Sequence, residues 1–137
     1  MEISQNGLNL IMQSEGFSAT PYDDNGKQCW GYGHDALPGE AVPASITEAD
    51  AQALLLEDLA PVMNSVSKLA PLANQNQFDA LCDFAYNLGV GALQTMLGHG
   101  WDQVPAQIPR WCNVNGQPST GLLNRRNAEV ALFNTPA

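Results

Sequence analysis

Cations are scarce in this 137-residue chain, with five Lys and Arg against fourteen Asp and Glu and a formal net charge of −9. Lys27, Lys68, Arg110, Arg125 and Arg126 cannot build the broad basic face that phosphate tracking needs, so no nucleic-acid partner is expected. The same imbalance disfavours adhesion to anionic lipid. No apolar run is long enough to span a bilayer, so membrane insertion is not expected either. The start MEISQNG lacks the basic region and small-residue cleavage site of a secretory signal, which implies synthesis in the cytoplasm without export. Cys29, Cys82 and Cys112 form no close pair and no metal-ligand spacing, which excludes a disulfide framework while leaving one bridge open. Cys82 and Cys112 read as small buried hydrophobes. His34 and His99 have no second ligand at helical spacing, so no metal and no other cofactor is expected.

What is present suits one globular domain. Hydrophobic residues make up 45% and charged residues 14%, enough apolar surface for a buried core. Residues 4–14 place Leu8, Ile11 and Met12 on one helical face, and Glu15-Gly16 ends that helix. Turn chemistry at DDNG, flanked by Phe17, Tyr22, Trp30 and Tyr32, predicts a hairpin over 17–34. After a Pro- and Gly-containing loop over 36–46, Thr47 caps a helix over about 48–68. That helix buries Leu54, Leu55, Leu59, Val62 and Val66 and is kinked at Pro61. A helix over 75–88 follows, carrying Phe78, Leu81, Cys82, Ala85 and Tyr86, and further helices fall near 91–98, 101–112 and 119–133, the last capped by Ser119. The class is α+β, mostly helical, with one small sheet near the N-terminus.

The acids of residues 14–35 raise a chemical question. Glycosidic cleavage needs a proton donor for the leaving oxygen and a carboxylate that activates water or attacks the sugar. Glu15 falls at a predicted helix end, where the macrodipole disfavours its ionised form. An acid in the following turn, Asp23 or Asp24, stays solvated and ionised. Such a pair has the contrast that acid and base roles require.

The run from Glu15-Gly16, with eight residues to Asp24, into Trp30-Gly31-Tyr32-Gly33-His34 resembles the phage-type lysozymes, the endolysins of glycoside hydrolase family 24. The resemblance extends through TEADAQALLLEDL, QFDALCDFAYNLGVGAL and RWCNVNGQPSTGLLNRRNAEVALF, covering residues 4–133. It implies a lysozyme-like two-lobe fold: a hairpin lobe over about 14–46, a connecting helix over about 48–68, and a helical lobe from about 1–13 and 70–137. It also implies a muramidase that cleaves the β-1,4 bond between N-acetylmuramic acid and N-acetylglucosamine. Glu15 is then the general acid, Asp24 the base holding water, and Cys29 stands where the family has Thr. The interval from Asp24 to Cys29 is one residue shorter than the family's, which keeps Asp23 as the alternative. By the same resemblance Tyr32, Asn87, Trp111 and Arg125 contact substrate, with Arg126 the alternative to Arg125. His34 pairs with an acid and anchors the hairpin, and Asp35 reads as a loop acid.

The implied partner is the peptidoglycan glycan strand, bound by a monomer that reaches the wall after holin-type release or delivery. Two other readings are a wall-binding relative with weakened chemistry, suggested by Cys29 and the short turn, and a lytic transglycosylase.

Overall fold

In the computed structural model, which describes residues 1–137, the chain divides into two units, Ile11–Ala60 and Met1–Leu10 with Pro61–Ala137. The class is α+β and mostly helical, as the periodicities imply. Helix α1 (Gln5–Glu15) buries Leu8 and Ile11 and leaves Met12 half-buried. Gly16 follows at φ 74°, and its N–H closes on the Met12 carbonyl at 2.9 Å, a glycine stop that fixes Glu15 as the last helical residue.

The unit Ile11–Ala60 contains an antiparallel sheet ordered β1-β2-β3, from β1 (Ser18–Asp24), β2 (Lys27–Gly31) and β3 (His34–Asp35). Asn25 and Gly26 join β1 to β2 with φ values of 51° and 87°. Positive φ at both central residues is the primed turn that matches strand twist. The expected hairpin is thus present, extended by a third strand: two residues, Tyr32-Gly33, separate β2 from β3. Helix α2 (Glu48–Leu69) begins as expected, with Thr47 Oγ1 accepting the Asp50 N–H at 3.1 Å. Its residues within this unit bury Ala51, Leu55 and Leu59, while Leu54 is only half-buried. Gly31 packs so near this helix that a β-carbon there would lie 3.3 Å from that of Ala51.

Helix α2 runs through Pro61 into the other unit, where the buried positions are Met63 and Val66; Val62, expected inside, is half-buried. The four-residue step from Leu59 to Met63 keeps the apolar face aligned, and Met63 rather than Val62 falls on it. Helix α3 (Gln75–Leu88) starts with a capping box between Asn74 and Gln77. It is buried nearly all round, including Asp79 and Asp83, and Tyr86 is half-buried rather than core. Helix α4 (Val90–Leu97) follows.

The segment 101–112 is not one helix. It forms a 3₁₀ turn at Trp101–Gln103, a single turn α5 (Val104–Gln107) and a second 3₁₀ turn at Ile108–Arg110. Pro105 and Pro109 remove the N–H groups that a continuous helix would use. A second hairpin, β4 (Asn113–Val114) and β5 (Gln117–Pro118), turns at Asn115-Gly116 with φ 51° and 78°. Ser119 caps α6 (Thr120–Phe133), its side chain accepting the Leu122 N–H at 3.2 Å. All three cysteines are unpaired; Cys82 is buried as expected, but Cys112 is half-exposed beside the second hairpin.

Candidate active site

Glu15 sits half-buried at the end of α1. A β-carbon on Gly33 would come within 2.5 Å of its Oε1, and Gly33 has φ 76°. Only glycine gives the backbone both that dihedral and room for the carboxylate. The second glycine of Gly31-Tyr32-Gly33-His34 is therefore a seat for Glu15, and Tyr32 beside it packs against Phe17 with ring centres 5.5 Å apart and planes tilted by 47°.

Strand register sorts the remaining acids. Tyr22 pairs with Cys29, Asp23 with Gln28 and Asp24 with Lys27 across β1 and β2, while Cys29 pairs with Asp35 and Trp30 with His34 across β2 and β3. Directly opposed residues share a face and neighbours alternate. Tyr22, Asp24, Lys27, Cys29 and Asp35 thus belong to one face, and Asp23, Gln28, Trp30 and His34 to the other. Asp23 Oδ2 instead accepts the Gly26 N–H at 3.4 Å, a turn-forming contact.

Electrostatics mark the same face. The Tyr22 phenol is pushed up by burial, then by the charges of Cys29, Asp24, Glu15 and Asp35. The buried Cys29 thiol is pushed up to about 11, first by desolvation and then by a hydrogen bond to Asp35 and the charges of Asp35 and Asp24. Cys29 Sγ donates to Asp35 Oδ1 at 3.0 Å. A thiol so held stays protonated near neutrality and is a poor nucleophile. Glu15, Asp24, Asp35 and Cys29 therefore act on one small region. Asp35, read from the sequence as a loop acid, instead lies in β3 opposite Cys29; its only sequence signal was the place after His34.

On the opposite face His34 is clamped. Its Nδ1 lies 2.7 Å from Asp58 Oδ2 and its Nε2 2.9 Å from Glu40 Oε1. Carboxylates accept, so bonds at both nitrogens require the imidazolium or a protonated acid. Burial alone would lower the His34 pKa, but the bonds to Glu40 and Asp58 outweigh it and the net shift is upward. The two acids respond differently. Asp58, half-buried in α2, is raised by desolvation, whereas Glu40, also half-buried, is lowered by the Leu37 N–H and by His34. The expected acid partner of His34 is thus two acids, one of them in the loop.

Asn87, Trp111 and Arg125 belong to the other unit. Arg125 forms a two-pronged pair with buried Asp83, Nε to Oδ2 at 3.1 Å and Nη2 to Oδ1 at 2.7 Å. Arg126, fully buried, lies with Nε 2.8 Å from Glu129 Oε1, and its Nη2 donates to Glu129 Oε2 and to Asn87 Oδ1, both at 2.8 Å. Its guanidinium stands 5.2 Å over the Phe84 ring, which Trp111 meets edge-on at 5.8 Å. Burial pushes the Glu129 carboxyl up and the Arg126 guanidinium down. No group of three His, Cys, Asp or Glu side chains is arranged to hold a metal ion.

Residues 12–129 match the family model described as phage lysozyme. The chain is 37% identical over 148 aligned residues to the endolysin of Bacillus phage PZA, an alignment covering 98% of this chain and 56% of that protein. Among solved structures it is similar to the muramidase domain of SpmX from Asticaccaulis excentricus, at TM-score 0.87 and 33% identity, covering 98% of this chain and 99% of that one. It is also similar to a P22 lysozyme variant, at TM-score 0.85 and 32% identity, covering 98% and 99%. The chain spans between half and two thirds of the length of the curated relatives it first matches.

Proposed function

Because the chain belongs to the phage lysozyme family, we propose that it hydrolyses peptidoglycan as a muramidase, at the β-1,4 bond between N-acetylmuramic acid and N-acetylglucosamine. Glu15 donates a proton to the glycosidic oxygen as that bond breaks. Asp24 takes a proton from the water whose oxygen bonds to the anomeric carbon. The observation that carries this reading is geometric: Glu15 ends α1 with its carboxylate seated against Gly33, and the strand register puts Asp24 on the same sheet face as Cys29. Asp24 is favoured over Asp23 as the base because the sheet register turns it to the face of Cys29.

Tyr32, Asn87, Trp111 and Arg125 are the proposed glycan contacts. Asn87 accepts from Arg126 through its oxygen and keeps its amide N–H groups for a sugar. His34 supports the sheet and takes no part in the chemistry. The protein acts as a monomer on the cell wall, which it reaches after holin-type release or delivery.

Muropeptide analysis tests the reaction. Purified peptidoglycan incubated with the wild type should acquire reducing muramic-acid ends, and incubation with Glu15→Gln should not produce them. Anhydro ends would move the assignment to a transglycosylase. Binding without cleavage would make the protein a wall-binding module.

A further inference from the structure

The hydrolytic reading leaves one group without a task. Asp24 can take the reacting proton of the attacking water, but a water held by one acceptor is poorly oriented, and its second O–H needs a partner. Cys29 is the residue that the family resemblance offers for this, and the structure argues against it. The only hydrogen on Cys29 Sγ points into Asp35 Oδ1 at 3.0 Å, and the side chain is buried to 2% exposure. What remains on sulfur is a weak acceptor.

Asp35 is better equipped. It lies opposite Cys29 on the face that carries Asp24. It is exposed, so water reaches it. An ionised carboxylate has about four acceptor sites, of which the thiol occupies one.

We propose that Asp35 is a further catalytic residue that holds the non-reacting O–H of the attacking water, and that Cys29 anchors the Asp35 carboxylate through its thiol. The inference rests on the muramidase reading. No proton is transferred to Asp35: water loses one proton to Asp24, Glu15 gives one to the leaving oxygen, and the sugar gains hydroxyl.

Steady-state cleavage of purified, dye-labelled peptidoglycan by the wild type, Asp35→Ala, Cys29→Ala and Cys29→Thr tests this, with thermal midpoints measured in parallel. Asp35→Ala should lower kcat by about 10-fold or more with KM within about twofold, as for loss of a group that acts on the reacting water. Cys29→Ala should lose less, because the carboxylate remains, and Cys29→Thr should stay within about threefold of wild type because its hydroxyl can still donate to Asp35. A folded Asp35→Ala with unchanged kcat would overturn the proposal alone. So would a Cys29→Ala loss equal to or larger than that of Asp35→Ala, which would make sulfur the water holder. A wild type that cleaves nothing would overturn the muramidase reading and this inference with it.

Discussion

Asp23 and Asp24 are chemically identical neighbours, and only the sheet distinguishes them. A one-residue step along a strand reverses the side chain, so Asp24 shares a face with Cys29 while Asp23 caps the Gly26 N–H. Asp24→Asn should lower kcat by about 100-fold or more, and Asp23→Asn should leave it within about twofold; kcat on purified peptidoglycan checks both. Equal losses in the two variants would contradict the assignment. Glu15 and the glycines around Tyr32 were legible in the sequence because their spacing is itself the constraint: Gly33 must be glycine to seat the Glu15 carboxylate. Asp35 was not legible, because its contact with Cys29 depends on where β3 begins after a two-residue turn. No local pattern fixes that register.

At the scale of elements, the His34 clamp ties β3 to α2 through Asp58 and to the 36–46 loop through Glu40, whose carboxylate also accepts the Leu37 N–H at 2.9 Å. The folded-state pKa of His34 lies above its ordinary value. Its contribution is therefore complete below the unfolded value of about 6.5 and is lost as pH rises through the folded one. Urea unfolding should show stability declining over that window, and His34→Asn should flatten the decline. On α6, Arg126→Met leaves the buried Glu129 carboxyl and the Asn87 side-chain oxygen without the guanidinium that donates to them. The expected cost is about 3 kcal/mol by urea unfolding. Helices α1, α2, α3 and α6 were readable from apolar spacing and caps. The break-up of 101–112 was signalled by Pro105 and Pro109, although that segment reads as one helix, and the second hairpin was signalled by Asn115-Gly116, where no element was expected. The buried acids of α3 have no signature in a single sequence, since each depends on a partner far along the chain, Asp79 on Ser4 and Asp83 on Arg125.

At the scale of the whole molecule, a net charge of −9 opposes approach to an anionic polymer. Screening shortens that repulsion to about 8 Å at physiological ionic strength and lets it extend to about 30 Å at 0.01 M. Wall cleavage should therefore fall as salt is removed, and a turbidity assay over an ionic-strength series would show it; a rate that climbs steadily towards low salt would contradict it. The central claim is that water, activated at the Asp24 face of the sheet, is the group that takes the sugar. The most direct measurement is digestion of purified peptidoglycan in water labelled with heavy oxygen, followed by mass spectrometry of the fragments. One labelled oxygen should appear at each new reducing muramic-acid end from the wild type, and Asp24→Asn should form about 100-fold fewer labelled ends in the same time. Fragments that carry no label from the wild type would mean that no water enters the bond broken, and the hydrolytic assignment of Glu15 and Asp24 would fall.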